Sequence, residues 1–250
     1  MSKPRLFQVA EGVYCVMRRS YFTCSYLVER ADGLIAIDAG MKSSGSEMLC
    51  AIDELGRSPR DVKAILLTHW HNDHAAGAAV LARLSGAEVY YSASEAKHMT
   101  RIAAATGLRG KLSAIIPESG PLVLLKGLLG NAPQQPVEAS RFVTGGDVVS
   151  DFEVIDTPGH TVGHVSYYYR PQRVLFAGDA IAVVNQRLRF MARPTTEDLA
   201  TARASMVRLM ELPLEAVCPG HREPLTKRVS EECLRMRELL KHQENWPLFG

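Results

Sequence analysis

The chain has 250 residues, 46% hydrophobic and 22% charged, the balance expected of a globule that buries a full core. A formal net charge of +2 argues against bulk nucleic-acid binding. The five cysteines show no Cys-x-x-Cys spacing, which fits reduced thiols better than a disulfide framework, and no apolar run is long enough to span a membrane. Residues 1–9 lack the apolar segment of an export signal, so the cytoplasm is the expected location.

In chain order, residues 13–17, 25–28 and 34–37 read as hairpin strands, with Ala31-Asp32-Gly33 as the last turn. Met48, Leu49, Ile52 and Leu55 recur at helical spacing, and Gly56 ends that helix. A buried strand is expected at 62–67, an alanine-rich helix at 75–84, a strand at 88–92 and a helix at 94–106. The stretch 107–136 is rich in Gly, Pro and Leu. It reads as a lid or pocket wall, a packing excursion or a dimer contact, within an irregular insertion at about 94–140.

Strands follow at about 142–144, 152–156, 165–169, 173–177 and 216–218. A helix at 196–210 carries an apolar stripe of Leu199, Ala202, Met206, Leu209 and Met210, with Thr195 or Thr196 as its cap. A last helix starts at Ser230, where Val229 and Leu234 are spaced for a hydrophobic staple. Two strand-rich halves, each followed by helices, predict an α/β fold: a four-layer αββα sandwich. The motifs below span 38 to 221, so one domain covering 1–250 is expected.

The most specific motif is His69-Trp70-His71-Asn72-Asp73-His74, three imidazoles and a carboxylate just after a strand. These are the donors that borderline and hard divalent cations take, zinc foremost. His69 and His71 are two apart, as on one side of an extended segment, unlike the helical His-Glu-x-x-His arrangement. Further donors stand beyond later strands, each near a glycine: His160 in Pro158-Gly159-His160, Asp179 in Gly178-Asp179-Ala180, and His221 in Pro219-Gly220-His221. His164 is best read as a histidine behind the donor set. His98 and His242 read as surface residues, and Cys218 as a buried strand thiol.

With Asp38 in Ile35-Ala36-Ile37-Asp38-Ala39-Gly40, this order of motifs resembles the metallo-β-lactamase-fold hydrolase superfamily, over about residues 13–225. The resemblance implies that His69, His71 and His160 hold one metal ion, that Asp73, His74 and His221 hold a second, and that Asp179 bridges them. It implies that Asp38 supports the metal loop from behind. The implied cofactor is a pair of divalent metal ions, zinc foremost, with iron or manganese as alternatives.

A paired site can lower the pKa of a shared water enough to give hydroxide at neutral pH. Asp73 is the candidate to orient that nucleophile and move its proton. The expected activity is hydrolysis of a small ester, thioester or lactone, as in the glyoxalase II and lactonase-like branch. The alternatives are a phosphodiesterase or nuclease, a β-lactamase, and an iron-dependent non-hydrolytic relative. Ala182 stands where the lactonases usually carry tyrosine. The chain ends soon after His221, leaving little room for the helical glutathione grip of glyoxalase II. Arg187, Arg189 and Arg193 are candidates to meet an acidic substrate group. The expected partner is a small-molecule substrate rather than a membrane or nucleic acid, and a homodimer is left open.

Overall fold

A computed structural model of the chain describes residues 3–100, 135–242 and 246–247. Successive side chains point to opposite faces of each strand, and near-continuous apolar runs let both faces of two sheets be covered. The first contains β1 (Arg5–Ala10), β2 (Val13–Met17), β3 (Cys24–Arg30), β4 (Gly33–Ile37), β5 (Val62–Leu66), β6 (Glu88–Ser92) and β7 (Arg141–Val143), paired in that order. β1 to β4 form an antiparallel meander, and β4 to β7 run parallel. The second sheet has the order β14-β11-β10-β9-β8, with β8 (Val148–Val149), β9 (Phe152–Asp156), β10 (Val165–Tyr169), β11 (Val174–Gly178) and β14 (Ala216–Pro219). A separate hairpin joins β12 (Ala182–Val184) and β13 (Arg187–Arg189).

Three apolar cores separate four layers. Cys15, Tyr26, Ile35 and Leu66 of the first sheet meet Phe152, Val165, Tyr167 and Phe176 of the second. The opposite face of the first sheet, with Leu27, Ala36 and Ile65, takes Met48 and Ile52 of α1 (Ser46–Glu54) and Leu81 of α3 (Ala78–Ser85). The opposite face of the second sheet, with Leu175 and Val217, takes Met206 and Leu209 of α5 (Leu199–Leu209) and Met236 and Leu240 of α6 (Val229–His242). The result is the helix–sheet–sheet–helix sandwich read from the sequence.

The strand directions matter most for the site. β4 and β5 are parallel, as are β11 and β14, and β9 runs the same way as β11 because both are antiparallel to β10. The C-terminal ends of β4, β5, β9, β11 and β14 therefore carry their following loops to one edge. Hydrogen bonds stitch the sheets there. Tyr26 donates from its hydroxyl to Pro219 O (2.6 Å), Tyr167 to Leu67 O (3.0 Å), and the Val165 amide to Thr68 O (3.0 Å).

Several local expectations are corrected. The helix expected at 75–84 is broken into α2 (Asn72–Ala75) and α3. Gly77 lies at the break, where a Cβ would sit 2.2 Å from Ala39 O, so the chain turns to dock on Ala39 and Gly40. Asp198, not Thr195 or Thr196, caps α5, accepting from the amides of Ala200 and Thr201. Leu234 is 60% exposed, so it makes no staple with the buried Val229. Of the helix expected at 94–106, the described part is a 3-10 turn (Ala93–Glu95) and α4 (Ala96–Met99). Nearly all of the lid or dimer-contact stretch, including Leu124 and Leu128, lies outside the described residues. β1, β8 and the β12–β13 hairpin have no counterpart among the expected strands.

Phe152 is fully buried between the sheets, stacked on Tyr169 with ring centroids 4.8 Å apart. Phe152→Ala should lower unfolding stability by about 3–5 kcal/mol, measured by urea denaturation.

Candidate metal centre

Seven donor side chains converge at the edge where the five strands end. His69 Nε2 and His160 Nε2 each lie 3.0 Å from His71 Nδ1. One ring nitrogen cannot hydrogen-bond both neighbours well in a single tautomer, but three lone pairs can share one cation. Asp73, His74 and His221 form a second trio. His221 Nε2 lies 3.3 Å from Asp73 Oδ2, and His74 Nε2 lies 3.7 Å from the same oxygen. Asp179 stands between the trios. Its Oδ1 is 3.6 Å from His74 Nε2, and its Oδ2 is 3.4 Å from both His160 Nε2 and His221 Nε2. Two buried atoms aimed into this space, His74 Nε2 and Asp179 Oδ1, have no hydrogen-bond partner. Unpartnered buried polar atoms are costly, and here they are an imidazole nitrogen and a carboxylate oxygen, the atoms a divalent cation takes. The residues fit such a cation.

The groups behind the donors set which nitrogen faces inward. Asp38 is 2% exposed and has left-handed backbone (φ 56°). Its carboxylate accepts from the Thr68 amide (2.8 Å), the Thr68 hydroxyl (3.0 Å) and His74 Nδ1–H (2.8 Å). With its proton committed to Asp38, the Thr68 hydroxyl accepts from His69 Nδ1–H (3.0 Å). One carboxylate thus fixes Nε2 of both His74 and His69 as the ring nitrogen that faces the site. His221 Nδ1 donates to Tyr21 O at 3.3 Å, which turns its Nε2 towards the site as well.

His164 lies behind Asp179. The Asp179 amide donates to His164 Nε2 (3.0 Å), so Nδ1 carries the proton and donates to the Thr157 hydroxyl (2.8 Å). The hydroxyl of Thr157 reaches that of Ser166 at 3.0 Å, and Ser166 donates to Ala177 O. His164 therefore anchors the backbone of Asp179 rather than joining either trio. Gly220 is equally constrained. A Cβ there would sit 2.1 Å from Asp179 Oδ1 and 2.6 Å from His74 Cε1.

Charge divides the cluster into unlike halves. Burial and the neighbouring histidines push His69 well below the usual imidazole range, and burial does the same to His160, so both are neutral. Burial also opposes charge on His74, but Asp73, Asp179 and Asp38 outweigh it and raise its pKa to about 9. His221 is raised well above its ordinary value despite burial, by Asp179 and Asp73. Burial favours the neutral form of both aspartates too, yet His74 and His221 overcome it and hold their carboxyls below the usual range.

Other predicted residues lie elsewhere. Arg187 faces Glu232 of α6 (3.4 Å), and Arg189 and Arg193 are exposed on β13 and the turn after it. Among the described residues, no hydrogen bond or ion pair joins these three arginines to the cluster. Cys218 is fully buried in the inter-sheet core. His242 is exposed near Glu238, but His98 is half-buried and stacked on Trp70, 4.5 Å between centroids. The surface assignment of His98 is corrected: it backs the tryptophan between two of the donors. Tyr21 and Phe22 carry no motif in the sequence. Both have left-handed backbone, and the Tyr21 ring meets His221 edge-on at 5.5 Å. Burial and the charge of Asp73 push the Tyr21 phenol up to about 12, so it keeps its proton at neutral pH. No local motif marks these residues, since aromatic loop residues are common.

The family profile of the metallo-beta-lactamase superfamily matches residues 21–221. The chain belongs to that superfamily. It is accordingly an enzyme, a metallo-hydrolase of a superfamily that uses divalent metals. It is 28% identical over 242 residues to a probable metallo-hydrolase, YflN, of Bacillus subtilis (strain 168), covering 88% of this chain and 87% of that protein. It is also 28% identical over 203 residues to a hydroxyacylglutathione hydrolase of Bdellovibrio bacteriovorus, covering 80% of this chain but only 62% of that protein. The fold matches the crystal structure of BJP-1, a subclass B3 metallo-beta-lactamase of Bradyrhizobium japonicum. The TM-score is 0.67 at 21% identity, over 96% of this chain and 92% of that one.

Burial lowers the pKa of His164 to about 3, against 6.5 for an unperturbed imidazole. Between these values the unfolded chain takes up a proton that the folded chain refuses, so acid removes stability over that window. The metal-free protein should therefore unfold at lower urea concentration as pH falls from about 6.5 towards 4. His164→Gln, which lacks a titrating group, should show a shallower decline.

Proposed function

We propose that this chain is a dinuclear, zinc-dependent hydrolase of a small ester, thioester or lactone. The observation that carries the reading is the placement of Asp179, with one oxygen towards His74 and the other towards His160 and His221, between two donor trios. In this reading His69, His71 and His160 would hold one ion and Asp73, His74 and His221 the other, with Asp179 between the two trios as the residue shared by both. All-nitrogen and nitrogen–carboxylate donor sets both suit zinc. The two ions, when bound, supply an activated water and polarise the substrate oxygen.

The chain's own residues supply the rest. Asp38 and Thr68 keep the ring nitrogens of His74 and His69 correctly aimed. Asp73 is half-buried, its carboxylate facing His221 at the site's open side, where it orients the attacking water and carries its proton. Tyr21, protonated beside His221, can donate a hydrogen bond to a substrate oxygen. Similarity to a hydroxyacylglutathione hydrolase supports an acyl substrate. Among the described residues, no helix is long and apolar enough to cross a membrane, and the proposed compartment is the cytoplasm.

Elemental analysis of protein purified without chelator should find two transition-metal ions per chain. His69→Ala should lose the first and His221→Ala the second, and a well-folded protein with no such metal would sink the proposal.

Substrate class is tested with a thioester, an acyl-homoserine lactone, a β-lactam and a bis-aryl phosphodiester. At least one of the thioester and lactone should be cleaved, with activity abolished by chelator and restored by zinc. Asp73→Asn should lower kcat on that substrate by about 100-fold or more while the first ion stays bound. A preference for the phosphodiester over every acyl compound would overturn the assignment in favour of phosphoester hydrolysis.

A further inference from the structure

The two loops that form the first trio come from different sheets. His69 and His71 follow β5 of the first, and His160 follows β9 of the second. Their ring nitrogens must nevertheless stay about one coordination sphere apart. Glu95 lies in neither loop. It ends the 3-10 turn Ala93–Glu95 after β6 and is 1% exposed.

The Glu95 carboxylate divides its two oxygens between the loops. Oε2 accepts from the amide of Trp70, the residue between His69 and His71, at 2.9 Å. Oε1 accepts from the Thr161 hydroxyl at 3.0 Å and the Gly163 amide at 2.7 Å, both close after His160. A Cβ at Gly163 would sit 2.6 Å from Oε1, so the second loop is built to admit this carboxylate. A buried carboxylate holding three donors is a strong local constraint. The backbone bond from Val165 to Thr68 O and the Tyr167 hydroxyl on Leu67 O also join the sheets, but at residues that precede His69 rather than within the donor loops.

We propose that Glu95 is a positioning residue for the first metal site, a cross-sheet staple that sets the separation of the His69–His71 pair from His160. The proposal rests on the dinuclear reading above. Among the described residues, the hydrogen bonds of Glu95 run to Trp70, Thr161 and Gly163 and to none of the donor nitrogens. Its effect on the cation is exerted through the Trp70 amide on one side and the Thr161–Gly163 segment on the other. Glutamine at 95 keeps the shape but replaces one acceptor oxygen with an NH2 group, which must face a donor in one of the two loops. Aspartate keeps both oxygens on a shorter stem and reaches one loop better than the other.

The test is stepwise Zn²⁺ affinity, measured by competition with a chromogenic chelator, together with the visible absorption of Co²⁺ substituted into the protein. Wild type, Glu95→Gln, Glu95→Asp and Gly163→Ala are compared. Leu209→Ala, which opens the core behind the second sheet, controls for general destabilisation. Glu95→Gln should weaken the binding step that His69→Ala removes by about 10- to 100-fold and leave the step that His221→Ala removes within about threefold, and the reverse pattern would overturn the proposal. The Co²⁺ bands of the weakened site should shift. Gly163→Ala should weaken the same step, and Glu95→Asp should fall between wild type and glutamine. The control should lower the melting temperature with both affinities unchanged. Equal loss at both steps, no loss, or the same selective loss in Leu209→Ala would overturn the positioning role while leaving the dinuclear reading intact. If glutamine prevents folding, aspartate and Gly163→Ala carry the comparison. A wild-type protein that binds no Zn²⁺ would instead remove the dinuclear reading, and this role with it.

Discussion

The site depends first on one buried carboxylate. Asp38 collects the Thr68 amide, the Thr68 hydroxyl and His74 Nδ1–H on a backbone held in the left-handed region. A carboxylate left alone at that depth would be expensive, but three donors compensate it. In return it decides the inward-facing nitrogen of two imidazoles, one directly and one through a hydroxyl. The parallel pairing of β4 with β5 makes this possible, because Ile37 and Leu66 are register partners and their following residues emerge side by side. Sheet register is thereby converted into imidazole tautomer.

Beyond that pair, the fold gathers donors by strand direction. Five strands from two sheets end at the same edge, so residues as far apart as 69 and 221 meet without long loops. The inter-sheet core of Tyr26, Phe152, Tyr167 and Phe176 keeps the two ends together, and both tyrosines also donate their hydroxyls to backbone carbonyls beside the donor loops. The same residues thus supply apolar burial and the alignment of the site edge.

What the sequence revealed and what it hid follow from how local each signal is. The sextet from His69 to His74 is chemically specific and contiguous, and Gly-His or Gly-Asp after an apolar run marks a strand end, so all seven converging donors were legible. The layered architecture was legible too, since long periodic segments decide it. Glu95 was not: a single acid at the start of a helix reads as a solvated cap, and only tertiary structure shows that it is buried against two loops. Thr157 and Tyr21 were hidden for the same reason. The cap of α5 was misplaced because Thr195, Thr196 and Asp198 are all competent caps, and Asp198 is the one whose carboxylate reaches the Ala200 and Thr201 amides. The expected 75–84 helix ignored the docking of Gly77 on Ala39, a contact with another strand's loop.

The charge pattern links stability to cation uptake. In the metal-free protein Asp73 and Asp179 are compensated by protons on His74 and His221, which those same carboxylates raise. A cation at the second trio needs the lone pairs that those protons occupy, so uptake there is an exchange of protons for metal. The first trio is different. His69 and His160 are already neutral, with lone pairs available near neutral pH. On the dinuclear reading proposed above, the two trios couple to pH unequally, and acid competes more strongly at the carboxylate-rich trio. Electrostatics thus divides the cluster into a protonated, carboxylate-rich half and a neutral, histidine-rich half.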